Sequence, residues 1–256
     1  MNIRLRWIIP AFIILFLFLL LARAPANLLA GQLAQQFPLL SLSGVEGSFW
    51  SGRASRVQYD RIDAGELNWS FNPLDLLFAS WGNAVELSNA GQFELDGDLS
   101  LSPFGSASLS NLHLQTRLAW LLEMSGKHLP GLVLDAEVDA LIDDASWSEE
   151  QGVKTLEGSV RLTNLTLQPQ NLGDFVAEVS INEAGQTLVE FQPLGETGLD
   201  ASGTLEIGKD GEATLDMTLA RLEALGNNAG LVKSLTRAQG ERRHFSWQGN
   251  INTFLR

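Results

Sequence analysis

The chain has 256 residues with 17 Lys/Arg against 30 Asp/Glu, a formal charge of −13, and no cysteine. The acidic excess argues against nucleic acid, and against anionic lipid headgroups, as general partners. Without cysteine there is no zinc–thiolate site, thiol nucleophile or redox motif, and the fold must hold by packing alone.

Arg4 and Arg6 precede an uncharged apolar run from Trp7 to Ala22, and Arg23 closes it. That run is shorter than the roughly 20 residues that cross a bilayer as a helix. Arg23 can snorkel, however, and Ala24 to Ala30 can extend the helix. Residues 1–6 are therefore expected as a cytoplasmic tip, 7–23 as a transmembrane anchor and 24–38 as a periplasmic helical extension. The two arginines set the N-terminus inside. A cleaved signal peptide is the competing reading, since Ala22-Arg23-Ala24 imitates a cleavage site. Pro25 follows such a site poorly, and the apolar run is long for an h-region. Beyond Arg23 the chain carries 14 Lys/Arg against 30 Asp/Glu, or −16.

Residues 39–256 read as one periplasmic, β-rich domain. Period-two alternation, the mark of a half-buried strand, runs through Phe93, Leu95, Gly97, Leu99 and Leu101, with Glu94, Asp96, Asp98 and Ser100 on the other face. It recurs in Leu132 to Ala140, Leu199 to Ile207, Thr214 to Leu219 and Phe245 to Ile251. Ser102-Pro103, Asn182 to Gly185 and Lys209-Asp210-Gly211 supply turns between these runs. An apolar–x–Gly–x–apolar unit repeats at Gly47, Gly97, Gly158, Gly203 and Gly249. Glycine on the apolar face makes room for a facing side chain or permits a bend. The expected fold is mainly β: the anchor helix, then a long, curved, mostly antiparallel sheet, groove-like or partly rolled. Few short helices are expected, at Ala24 to Gln36, from Pro73, at Arg117 to Ser125 and, in two pieces, within Leu219 to Arg237.

The chain holds no G-x-S-x-G elbow, G-x-G-x-x-G loop or H-E-x-x-H helix. Gly203 to Lys209 fits a phosphate loop until Asp210 replaces the required Ser or Thr, and alternation makes its interior a strand. His113, His128 and His244 have no partner at ligand spacing along the chain. His113 reads as a solvent-face strand residue. The acidic ladders Glu94/Asp96/Asp98 and Asp135/Glu137/Asp139 would bind Ca²⁺ only if adjacent strands brought them together; a solvated sheet face is the simpler reading. No catalytic residue, metal site or cofactor is expected, and the chain reads as no enzyme.

The early segment is more specific. Gly47-Ser-Phe-Trp50-Ser-Gly52-Arg-Ala54 is followed by Leu67-Asn-Trp69-Ser-Phe-Asn-Pro73-Leu74-Asp-Leu76-Leu77. An anchor, then G-x-x-W-x-G-x-A, then W-x-x-x-P-x-x-L-L, resembles the type II secretion system protein N family. Asp75 departs slightly from the apolar run. The family motif residues are then Gly47, Trp50, Gly52, Trp69, Pro73, Leu76 and Leu77, all structural. Phe49 and Trp50 are expected on opposite faces of one strand, with Gly47 and Gly52 allowing a bulge. The resemblance implies a single-pass accessory or scaffold component in the inner membrane of a Gram-negative bacterium. Its machine exports folded proteins from the periplasm across the outer membrane. Other type II secretion components are the implied partners. A looser similarity, to AsmA-like grooved-sheet proteins, implies a tethered lipid- or hydrophobe-binding groove as the alternative, with lipid as a partner. No nucleic acid is expected.

Overall fold

The computed structural model describes residues 24–60, 62–71, 81–102, 106–124, 133–148, 152–182 and 184–250. The expected anchor at 7–23, the helix expected from Pro73, and Leu132 lie outside the described residues. Among the described residues no helix is long and apolar enough to cross a membrane. The fold is mainly β and antiparallel, with few short helices.

The first unit takes residues 1–90 with 98–103. It opens on helix α1, Ala26–Gln36, whose eleven residues carry no charge. Phe37 ends the helix at φ −122°, ψ 84°, because Pro38 crowds the residue before it out of helical space. Strands β1 (Leu40–Gly47), β2 (Ser51–Tyr59), β3 (Ile62–Phe71) and β4 (Trp81–Asn89) follow, each antiparallel to the next. Short connections leave consecutive strands no other economical pairing. Their core gathers Ala26, Ala54, Val57 and Trp69, backed by Leu40, Leu42, Val45, Leu67 and Phe71. Strand β5, Phe93–Ser102, lies across the division between the units.

The second unit takes residues 91–97 and 104–256. It contains β6 (Ser106–Arg117), helix α2 (Leu118–Met124), β7 (Leu134–Ser148), β8 (Gly152–Leu167), β9 (Gln170–Ile181), β10 (Thr187–Pro193), β11 (Asp200–Ile207) and β12 (Glu212–Ala220). A 3-10 helix (Leu222–Asn228), helix α3 (Ala229–Leu235), β13 (Arg237–Gln239) and β14 (Arg242–Asn250) complete it. Its strands run β6-β7-β8-β9-β10-β11-β12-β14-β13, all antiparallel.

The turns follow the residues expected to make them. Asn182 accepts from the N–H groups of Ala184 and Gln186 at 3.0 Å each, and Gly185 takes φ +74°. Between β11 and β12 the Asp210 carboxylate accepts from the Glu212 N–H at 3.1 Å, and Gly211 takes φ +82°. The run that imitated a phosphate loop is thus a strand entering a hairpin. Gly211→Ala should lower stability by about 1–2 kcal/mol, the cost of a Cβ at positive φ, seen as a lower midpoint in chemical denaturation.

Candidate functional site

Two features stand out. The first is the early motif, which folds into a socket. Gly47 closes β1 at φ +92° and pairs with Gly52 across the hairpin. A Cβ on Gly47 would stand 2.6 Å from the Ser51 carbonyl oxygen, so no other residue fits without moving the turn. Gly52 pairs on its other side with Trp69 of β3. A Cβ on Gly52 would lie 2.5 Å from the Trp69 ring, so the indole occupies the space a side chain would fill. Trp69 is 5% exposed, and its Nε1–H donates to the Phe49 carbonyl at 3.1 Å. The Phe49 N–H in turn donates to the Ala24 carbonyl at 2.8 Å, Pro25 bridges to Ser48, and Ala26 packs into the same core at 2% exposure. A continuous chain of contacts therefore runs from Gly52 through Trp69 and Phe49 to the residues just after Arg23.

Trp50 corrects an expectation. β1 ends at Gly47 and β2 starts at Ser51, so Phe49 and Trp50 sit in the turn and do not alternate across a strand. Freed from the pleat, their rings meet edge to face with centroids 5.3 Å apart, and Phe49 also meets Phe71 at 5.7 Å. Pro73, Leu76 and Leu77 lie outside the described residues. What the socket does is hold the chain that follows Arg23 against the sheet.

The second feature is one face of the second unit. The register aligns apolar residues in rows across eight strands. One row is Leu114, Ala140, Val160, Ala177, Phe191, Gly203, Met217 and Phe245. The next is Leu112, Ile142, Gly158, Val179, Val189, Leu205, Leu215 and Trp247. Two of the repeated glycines, Gly158 and Gly203, are part of these rows: a Cβ on Gly158 would meet Ile142, and one on Gly203 would lie 2.8 Å from Met217 Cα. The opposite face carries Glu178, Glu190, Glu206 and Asp216.

One end of the apolar face is covered. The 3-10 helix sets Leu222 and Leu225 on Phe175, Leu199, Ala201 and Leu219, all 4–7% exposed together with Leu167 and Leu172. Arg243 pins this cap: its guanidinium donates to the carbonyls of Lys233 and Thr236 at 2.7 and 2.8 Å and to the Thr236 hydroxyl at 2.6 Å. Away from the cap the rows are half-buried. A cavity of about 220 Å³ opens beside it, walled by Val160, Leu162, Phe175, Ala177 and Phe191. At the far end of the face a second cavity, about 420 Å³, is bordered by Trp147, Val153, Ile181, Thr187, Ile207 and Lys209.

The acidic ladders are not neighbours. β6 stands between β5 and β7 and brings His113 between them, 3.1 Å from Asp139 and 3.8 Å from Asp96. Arg117 of β6 pairs with Asp135, and on β14 His244 lies 3.4 Å from Asp216. These partners sit 17 to 28 residues apart in sequence, which is why spacing along the chain did not reveal them. Among the described residues no three His, Asp or Glu side chains are grouped to hold a metal ion.

Comparison with known proteins resolves the socket's context. The family model of "Type II secretion system (T2SS), protein N" matches residues 38–243. The chain belongs to this family. Among its relatives is the type II secretion system protein N of Aeromonas hydrophila, 29% identical over 119 residues, which cover 46% of this chain and 46% of that protein. The corresponding protein of Vibrio cholerae serotype O1 is 27% identical over 176 residues, 65% of this chain and 68% of the relative. The match thus spans about half the length of the Aeromonas relative. No solved structure matches the chain. The family match begins two residues before β1 and ends at the start of β14, so it takes in the strands of the socket and almost all of the apolar face.

Proposed function

We propose that this chain is a non-enzymatic, single-pass inner-membrane scaffold of the type II secretion system. Residues 1–6 lie in the cytoplasm, 7–23 span the membrane, 24–38 lead outwards, and 39–256 stand in the periplasm. The observation that carries the reading is the family match over residues 38–243. The socket supports it: a segment leaving the membrane at Arg23 is fastened within three residues to the sheet, so the tether and the body move together. The motif residues Gly47, Trp50, Gly52 and Trp69 serve that coupling. Partners would be other type II secretion components, packed on the apolar face or paired to a strand edge.

In-frame deletion in a bacterium that carries this system should leave folded exoproteins in the periplasm and lower their release several-fold. Unchanged release, with intact assembly of the inner-membrane platform, would remove the scaffold role. Protease added to spheroplasts should digest the body; protection would reverse the orientation.

One observation favours a second reading, a tethered hydrophobe-binding groove. The apolar face runs on past its cap across β6 to β14 as half-buried rows, and a contiguous apolar patch of this kind marks an interaction site or a ligand groove. A sheet curved at its row glycines would turn that face into a trough.

A further inference from the structure

The apolar face has two different ends, and the difference is informative. At the cap, Leu222 and Leu225 close it off, and the adjoining 220 Å³ cavity is walled by aliphatic and phenyl side chains. At the other end the 420 Å³ cavity mixes Trp147, 46% exposed, with Thr187 and Lys209. The Lys209 amine lies over Gly185, 2.9 Å from where a Cβ would stand, and makes no ion pair among the described residues. Asp210 and Glu212 follow it in the turn. From Ala201 beside the cap to Ile207 at the mouth is about 20 Å at the strand rise per residue, the reach of a long acyl chain. A closed apolar end and a mouth with an interfacial tryptophan, a cation and acidic neighbours together have the polarity gradient of an amphiphile site.

We propose that this face holds an acyl chain of a zwitterionic phospholipid, its tail end at the Val160–Ala177–Phe191 cavity and its phosphate at Lys209. The inference rests on the groove reading above and names its ligand. Charge selects the headgroup: a purely anionic lipid would approach a chain of net charge −13, whereas a zwitterion offers phosphate to Lys209 and an amine to the acidic turn. A flat protein surface or a second copy of the sheet would fill neither cavity.

The test uses the full chain in its native membrane, supplied with a phosphatidylethanolamine whose acyl end carries a diazirine, and maps the cross-links by peptide mass spectrometry. Label is expected in peptides of β8 to β10. Ala177→Trp, which fills the inner cavity, should cut that labelling roughly tenfold, about the effect of losing one buried side chain's contacts. Lys209→Glu should cut it several-fold yet leave labelling by an uncharged alkyl diazirine unchanged. Thermal melts establish that each variant folds, and Val189→Asp, which places a carboxylate in the row from Leu112 to Trp247, is the second block should Ala177→Trp unfold. Label confined to residues 7–23, or insensitive to both blocking variants, overturns the proposal. Cross-links made in the same membranes by a bifunctional reagent that join the face to another protein or to a second copy overturn it too. Labelling by the alkyl probe but not by the phospholipid sinks the proposal and spares the groove reading; labelling by neither sinks both. If inorganic phosphate alone shields Lys209 from amine-directed modification and phospholipid does not, the cation serves a soluble phosphate and the headgroup assignment is wrong. Secretion in the deletion strain bears on the scaffold role separately.

Discussion

Trp69→Ala should destabilise the first unit by about 3–5 kcal/mol, the range for deleting a buried aromatic side chain. Among the described residues, Trp69 shares that unit's small core with three other buried apolar side chains, two of them alanine. The ring fills the space above Gly52, and its N–H satisfies the Phe49 carbonyl in the turn that also binds Ala24. Loss of the ring therefore removes packing and loosens the attachment of α1 at once. Trp69→Phe should retain most of the stability and lose about 1 kcal/mol for the missing hydrogen bond. Gly52→Val approaches the same contact from the other side: its Cβ collides with the ring and with the Glu46 carbonyl 2.7 Å away, an overpacking cost of about 1–3 kcal/mol or more. Denaturant midpoints measure all three variants, and limited proteolysis within 24–37 reports whether α1 has come free. An unchanged midpoint for Trp69→Ala, or α1 equally protected in every variant, would refute the socket.

The two features were legible in the sequence to different degrees. Alternation located β5, β7, β11, β12 and β14, because a sheet with one wet face writes its pattern directly into residue order. The turn residues, Asn182 and Asp210-Gly211, act locally and so are also readable. The motif glycines and tryptophans were identifiable by spacing, but the seat they build was not. Its decisive contacts, Trp69 to Phe49 and Phe49 to Ala24, span 20 and 25 residues. The Phe49–Trp50 step was misread because alternation was extended through a turn, where it has no force. His113 looked idle because its two carboxylates reach it across neighbouring strands. The rows of the apolar face needed the register itself: each strand announced an apolar side, but only the pairing shows Val160, Ala177 and Phe191 side by side. Residues 222–235 carried a weak signal because each helical piece has only seven residues, too short to be stable alone.

That shortness makes the cap the second site of a large effect. Leu225→Ala should cost about 2–5 kcal/mol, the usual range for a buried leucine, whereas Val189→Ala in the half-buried row from Leu112 to Trp247 should cost well under half as much. Leu225 is 6% exposed in the larger of the two buried clusters among the described residues, and the 3-10 helix that carries it is bent at Gly226 and entered through Arg221 at φ +55°. Neither helical piece can persist without its contacts to the sheet, so the loss will not stay local. Arg243→Met acts on α3, the helix that follows the 3-10 helix directly. It removes three charge-assisted hydrogen bonds to Lys233 and Thr236, bonds of a kind worth about 1.5–3 kcal/mol each to folding, while keeping most of the apolar stem. In both variants amide exchange across 222–236 should accelerate before that of β9 to β11, since a weakly held element opens first. If the cap and the strands beneath it lose protection together, the cap is part of the sheet's cooperative core and is not a separable cover. If only the cap opens, Phe175, Leu199 and Ala201 join the half-buried rows, and the apolar face becomes continuous from Trp147 to Leu219.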